Sequence, residues 1–132
     1  MLTISDFKTL LDNNKLNYQK LNETTIIISN GCEKYNFSYN IAVDINNGFA
    51  KLFFMTGIKF QEVNINIYQL INGLNDNYRF FKFTVDDDKE LIMQVDAIVK
   101  ENNSTDEIME LLLRGSNVLE EIYPNVQKEI WR

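Results

Sequence analysis

The sequence predicts an α+β protein, an antiparallel sheet packed by helices in the order α-β-β-β-α-β-β-α, with residues 1–132 forming a single domain. Three observations predict it. In Tyr35-Asn36-Phe37-Ser38-Tyr39-Asn40-Ile41, continuing through Val43 and Ile45, apolar and polar residues alternate, which is the period of a strand with one covered and one wet face. Ile67, Leu70, Ile71 and Leu74 recur at i, i+3, i+4 and i+7, the spacing of one helix face. Arg79–Val85 and Leu91–Val99 are aromatic and β-branched stretches around the acidic turn Asp86-Asp87-Asp88-Lys89, as in an antiparallel pair.

The elements follow in order. Thr3–Asn13 forms an amphipathic helix with Ile4, Phe7, Leu10 and Leu11 on one face. Thr3 and Asp6 are spaced as a capping pair, and Asn13-Asn14 ends the helix. Leu16–Leu21 is a short edge strand. Thr24–Ser29 is a strand by its β-branched content, and Asn30-Gly31 is expected to turn it, because a type I′ hairpin needs φ > 0 at both central residues. Glu33–Ile45 is the next strand, with Tyr35, Phe37, Tyr39, Ile41, Val43 and Ile45 on one side. Asn46-Asn47-Gly48 is the following turn. Phe49–Thr56 carries apolar residues on both faces, Phe49, Phe53 and Met55 against Leu52 and Phe54. Gly57–Val63 connects to the second helix, capped by Asn64 or Asn66. Gly73, Asn75 and Asn77 weaken that helix and help to stop it. After a polar loop at 100–103, Ser104 and Glu107 are spaced as a capping box. Ile108, Leu111, Leu112, Val118, Leu119 and Ile122 then line the last helix. Tyr123-Pro124 is expected to break or kink it, leaving Val126, Ile130 and Trp131 as a final packed turn.

Composition narrows the function. The 132 residues carry a net charge of −6, which argues against a phosphate backbone or an anionic membrane as partner. There is no histidine, which removes Ser-His-Asp and Cys-His catalysis and the HExxH zinc motif. Cys32 is alone, so neither an intramolecular disulfide nor a multi-cysteine zinc site is available. The start lacks the basic and apolar regions of a signal peptide, and the longest apolar runs are only a few residues, so the expected location is cytoplasmic. No cofactor or metal is expected.

Each remaining candidate has a plainer reading. Asp86-Asp87-Asp88 and Asp44-Ile45-Asn46-Asn47-Gly48 offer oxygen ligands for Ca²⁺, yet neither fits the EF-hand loop, and both read better as solvated turns. Arg79-Phe80-Phe81-Lys82-Phe83 has the aromatics of an RNA-binding strand, but the acidic charge and the element order favour a core strand. Cys32 has only Lys34 nearby to activate a thiol and reads as a small residue beside a turn. Glu120-Glu121 and Asp106-Glu107 are adjacent acids of a wet helix face, not a catalytic pair.

An aromatic surplus remains. Phe53, Met55, Phe80 and Ile92 fall on the opposite sheet face from the main core set. Two readings stand: an open apolar face that contacts protein, or a register displaced by one residue, which moves every side chain to the other face.

The second half resembles the YbjN-like family and the wider type III secretion chaperone-like fold. Leu70-Ile71-Asn72-Gly73-Leu74-Asn75 is similar to the family's helix with its "LxNxLN" pattern. Arg79-Phe80-Phe81-Lys82-Phe83 resembles its basic-aromatic strand, and Asp86-Asp87-Asp88 with Leu91-Ile92-Met93 its acidic turn and next strand. The closing helix running into Tyr123-Pro124 is also similar. The match covers roughly Ile67 to the C-terminus; Lys89 departs from it, since the family's turn often carries Gly there. The resemblance implies a small, acidic, dimeric binding protein with no catalytic residues. The expected function is a non-enzymatic, chaperone-like or regulatory module that binds a partner polypeptide on its sheet and helix surface, with Phe53, Met55, Phe80 and Ile92 as contact candidates and a homodimer as its assembly. The alternative is a regulatory or toxin-neutralising protein whose acidic second half occupies one basic target.

Overall fold

A computed structural model describes residues 2–99 and 104–130. The expected loop at 100–103, the side chain of Ser104 with its capping box, and Trp131 lie outside the described residues. Three helices and a six-stranded antiparallel sheet follow the expected order: α1 (Ile4–Asn13), β1 (Gln19–Lys20), β2 (Thr25–Cys32), β3 (Phe37–Asn46), β4 (Phe49–Lys59), α2 (Ile65–Asn77), β5 (Lys82–Val85), β6 (Glu90–Ile98) and α3 (Ser104–Ile130). The strands lie side by side as β1-β2-β3-β4-β6-β5.

All three helices cover one face. The main core joins Ile26 and Ile28 of β2, Tyr39, Ile41, Val43 and Ile45 of β3, Leu52 and Phe54 of β4, Phe83 of β5 and Leu91, Met93 and Val95 of β6 to Phe7 and Leu11 of α1, Ile67 and Leu74 of α2, and Ile108, Leu119, Ile122 and Val126 of α3. Each strand contributes every second residue, as the pleat requires. Helix α1 begins with the expected capping box: the Thr3 hydroxyl accepts from the Asp6 N–H at 3.3 Å, and the Asp6 carboxylate accepts from the Thr3 N–H at 3.0 Å. Asn64 caps α2, its side chain accepting from the N–H groups of Asn66 and Ile67. Gly73 and Asn75 stay inside this helix, which continues to Asn77.

Two turns decide the strand registers. Asn47 and Gly48 take φ of 52° and 82°, both in the left-handed region that a type I′ turn demands, and they join β3 to β4 as expected. Asn30-Gly31 does not turn. Strand β2 runs through both residues to Cys32, and Glu33–Asn36 makes the turn, with Asn36 at φ 54°. A turn at Asn30-Gly31 would set Ile28 opposite Glu33. The actual register sets Ile28 opposite Ile41 and Ile26 opposite Val43, four buried aliphatic side chains on the helix face, and this burial outweighs the local turn preference. Strand β3 accordingly starts at Phe37 rather than Glu33, and the first edge strand shrinks to two residues.

Strand β4 is longer than expected, with a bulge between Met55 and Lys59. There Gly57 takes φ 73°, and buried Thr56 donates its hydroxyl to the Leu91 carbonyl at 2.6 Å and accepts from the Ile58 N–H at 3.2 Å. The acidic turn is held by Asp86, whose carboxylate accepts from the N–H groups of Asp88 and Glu90, both at 2.9 Å. Lys89 takes φ 64°, the left-handed conformation for which Gly is the easier residue. Helix α3 does not end at Tyr123-Pro124. Ile122 and Val126 are buried on either side of the proline, and the Tyr123 ring stacks on Phe37 at 4.2 Å and on Tyr35 at 5.2 Å. These contacts hold the turn that the missing proline N–H leaves one bond short.

Candidate protein-contact surface

Among the described residues, none packs on the face of the sheet opposite the helices. The registers place its outward residues in rows across the strands. One row runs Lys82, Gln94, Phe53, Ala42, Ile27 and the next Thr84, Ile92, Met55, Asn40, Ser29. A third carries Asp96, Lys51, Asp44 and Thr25, and an outer row Ile98, Phe49 and Asn46. Ile27, Ala42, Phe53 and Met55 are half-buried among one another and belong to no part of the helix-side core. Ile92 is only 2% exposed yet also lies outside that core, with Met55 and Thr84 as its cross-strand neighbours. Phe49 and Ile98 stand 57% and 65% exposed.

Three of the four sequence candidates, Phe53, Met55 and Ile92, therefore share the uncovered face and touch adjacent columns, and the alternative of a register displaced by one residue does not hold. Phe80 is a correction. The expected strand from Arg79 begins only at Lys82, because α2 runs to Asn77 and the chain bends at 79–80 to bring Phe81 under the helices. Phe81 meets Phe54 edge-on at 6.3 Å and 85°, while Phe80 is left 70% exposed beside a shallow depression of about 400 Å³ that Arg79, Arg114, Asn117 and Val118 also line. Phe49, Ile98, Ile27 and Ala42 were not singled out from the sequence. The alternation that marks Ile92 also marks Ile98, and the parity of Thr24–Ser29 separates Ile27 from Ile26 and Ile28.

Electrostatics around the second surface are local. Arg114 pairs with Glu110 one turn back at 2.9 Å. The Tyr78 hydroxyl donates to Glu121 at 2.8 Å; burial, together with that carboxylate, pushes the phenol up to about 12. A folded-state value above the unfolded ~10 means this bond contributes fully below pH 10 and is lost as pH rises through about 12. Tyr78→Phe is expected to remove a tyrosine that ionises only at high pH from an ultraviolet phenolate titration and to flatten the alkaline end of the stability curve. Loss of a component that titrates near the ordinary ~10 instead would show that the bond to Glu121 does not hold in solution.

Among the described residues no three Asp, Glu or Cys side chains gather as a metal site. The carboxylates of Asp86 and Glu121 are already bonded, and Cys32 closes β2 beside the Glu33–Asn36 turn. No described helix is long and apolar enough to cross a membrane.

The described residues define an α+β class of protein, a helix-backed antiparallel sheet whose outer face carries Phe49, Phe53, Met55 and Ile98. The family model of YbjN, described as "Putative bacterial sensory transduction regulator", matches residues 8–128. The chain belongs to the YbjN family. No curated protein and no solved structure matches it.

Proposed function

We propose that this chain is a non-enzymatic regulatory protein of chaperone-like action, a cytoplasmic homodimer that works by binding a partner polypeptide. The observation that carries this reading is the uncovered apolar sheet face around Phe53, Met55 and Ile92. Contiguous apolar surface of this kind marks protein contacts on soluble proteins, and here all three helices pack on the opposite side. The family's description as a regulator supports the same class, as does a histidine-free composition.

A homodimer and a partner each need a surface, and the described residues offer at least two: the sheet face, and the depression beside Phe80. Gentle affinity purification of the tagged protein from its own cells, with sizing and mass spectrometry, tests the reading. One protein is expected to co-elute in stoichiometric amount, and to be lost from Phe49→Asp if it covers the sheet face or from Phe80→Glu if it takes the depression. Elution of the chain with no other protein would remove the partner-binding reading. A single basic partner released by high salt would instead favour the one-target regulator.

A further inference from the structure

The bare face is matched to itself. Strands β4 and β6 are neighbours, and their register sets Phe49 opposite Ile98, Lys51 opposite Asp96, Phe53 opposite Gln94 and Met55 opposite Ile92. Consider a second copy laid face to face about a twofold axis that runs between β4 and β6 and parallel to them. Every β4 residue then lies over the β6 residue that is its own cross-strand neighbour, but in the other copy. The exposed Phe49 and Ile98 cover each other twice, Lys51 meets Asp96 twice, Phe53 falls on Gln94, and Met55 falls on Ile92, which is itself buried.

The alternatives are poorer. With the axis along β4 itself, Lys51 faces Lys51. With the axis between β3 and β4, Lys51 still meets an acid, Asp44, but Phe49 falls on Asn46 and Met55 on Asn40. Of these three axes, the β4–β6 axis is the one that sets Lys51 on an acid and the exposed Phe49 on an exposed apolar residue. Among the described residues Lys51 makes no ion pair within its own chain, so its ammonium is available. Aligned sheets pack within about 30° of each other, so matching is tightest near the axis, where these pairs lie. Laid about this axis, β4 and β6 cover each other and the short β5 covers part of β3, while β1 and β2 stand clear of the second copy.

We propose that the occupant of this face is a second copy of this chain, packed sheet to sheet about an axis between β4 and β6. The proposal rests on reading the face as a protein-contact surface and names what covers it. The dimer is isologous, so each contact occurs twice and a single substitution acts twice.

Analytical ultracentrifugation of the wild type, Lys51→Asp, Asp96→Lys and the double reversal tests it. All three positions needed, Lys51, Asp96 and Phe49, are exposed in the single chain. The wild type is expected to sediment as a dimer. Each single reversal sets like charges together across the interface and is expected to weaken dimerisation about tenfold or more, and the double reversal to restore it to within about threefold. Phe49→Asp is expected to give mainly monomer. A reversal also changes the neighbour within the chain, which thermal melting reads separately; only contact between copies makes the dissociation constant rise and recover. Two results would overturn the proposal: a wild type that stays monomeric at high concentration, or a dimer whose affinity ignores all three variants. A monomer leaves the face free for a different polypeptide, so the partner-binding reading survives it. Conversely, a charge-rescued dimer that captures no partner keeps this interface and removes that reading.

Discussion

Gly115→Ala is expected to destabilise the protein by about 2 kcal/mol, lowering Tm by about 6–10 °C. A β-carbon at Gly115 would stand 2.2 Å from Cζ of Phe54, with the two ε carbons at 2.7 and 3.0 Å. The ring has nowhere to go. It is fully buried, lies edge-on to Phe81 and is tilted against Tyr39 at 6.4 Å. Tyr39 is itself tied, donating its hydroxyl to Ser116 at 2.7 Å and accepting from the Asn30 amide at 3.0 Å. Either Phe54 leaves its rotamer or α3 lifts from β4. On helix propensity alone the substitution would gain about 1 kcal/mol, so a measured loss reports the contact itself. Combining it with Phe54→Leu, which shortens the side chain at the point of collision, is expected to cost less than the sum of the single changes, with a coupling of about 1–2 kcal/mol by chemical denaturation. Stability equal to or above wild type for Gly115→Ala would mean that α3 does not sit this close to the sheet.

Asn75→Ala is expected to cost about 1–2 kcal/mol and to promote self-association through the sheet edge. Strand β5 is an outer strand, and Phe83 points its backbone N–H and C=O away from β6. The Asn75 side chain answers both: Oδ1 accepts from the Phe83 N–H at 2.8 Å, and Nδ2 donates to the Phe83 carbonyl at 3.0 Å. A helix side chain thus takes the part of one more strand. Asn75→Asp separates the two bonds. It keeps the acceptor but sets a carboxylate against the Phe83 carbonyl, so at neutral pH it is expected to be at least as damaging as Ala. Protonation restores a donor, which raises the folded-state pKa of the introduced acid. Its stabilising contribution is therefore present below the unfolded value of about 3.9 and lost as pH rises through the folded value. Denaturation at pH 3 and pH 7 checks this: the deficit against wild type should shrink at the lower pH, and a deficit independent of pH would mean that the donor bond carries no weight.

Much of the molecule is legible in the chain because the relevant forces act between near neighbours. Alternation along Tyr39, Ile41, Val43 and Ile45, the spacing of Ile67, Leu70, Ile71 and Leu74, the Thr3–Asp6 cap and the Asn47-Gly48 turn each depend on a few adjacent residues, and each is where it was expected. The same alternation placed Phe53, Met55 and Ile92 on the face away from the core. Asn30-Gly31 misled because a turn preference is local, whereas a register is a contest among whole strands. There the pairing of Ile26 and Ile28 with Val43 and Ile41 prevailed. The break expected at Pro124 is absent for a similar reason: the stack of Tyr123 on Phe37 and Tyr35 joins residues some 86 positions apart in sequence and holds the helix through it. Phe80 has strand-like neighbours, yet its direction was set by where α2 stops.

The sequence by itself determined the α+β class, the order of its elements and which side chains of each strand share a face, since periodicity and turn chemistry are written in consecutive residues. Only the tertiary structure decided that all three helices take the same side, that Gly115 is the point where α3 touches Phe54, that Asn75 closes the β5 edge, and that Lys51 and Asp96 stand side by side on the bare face. Those facts depend on atoms brought together from distant parts of the chain, and their energies exist only once the chain has closed on itself.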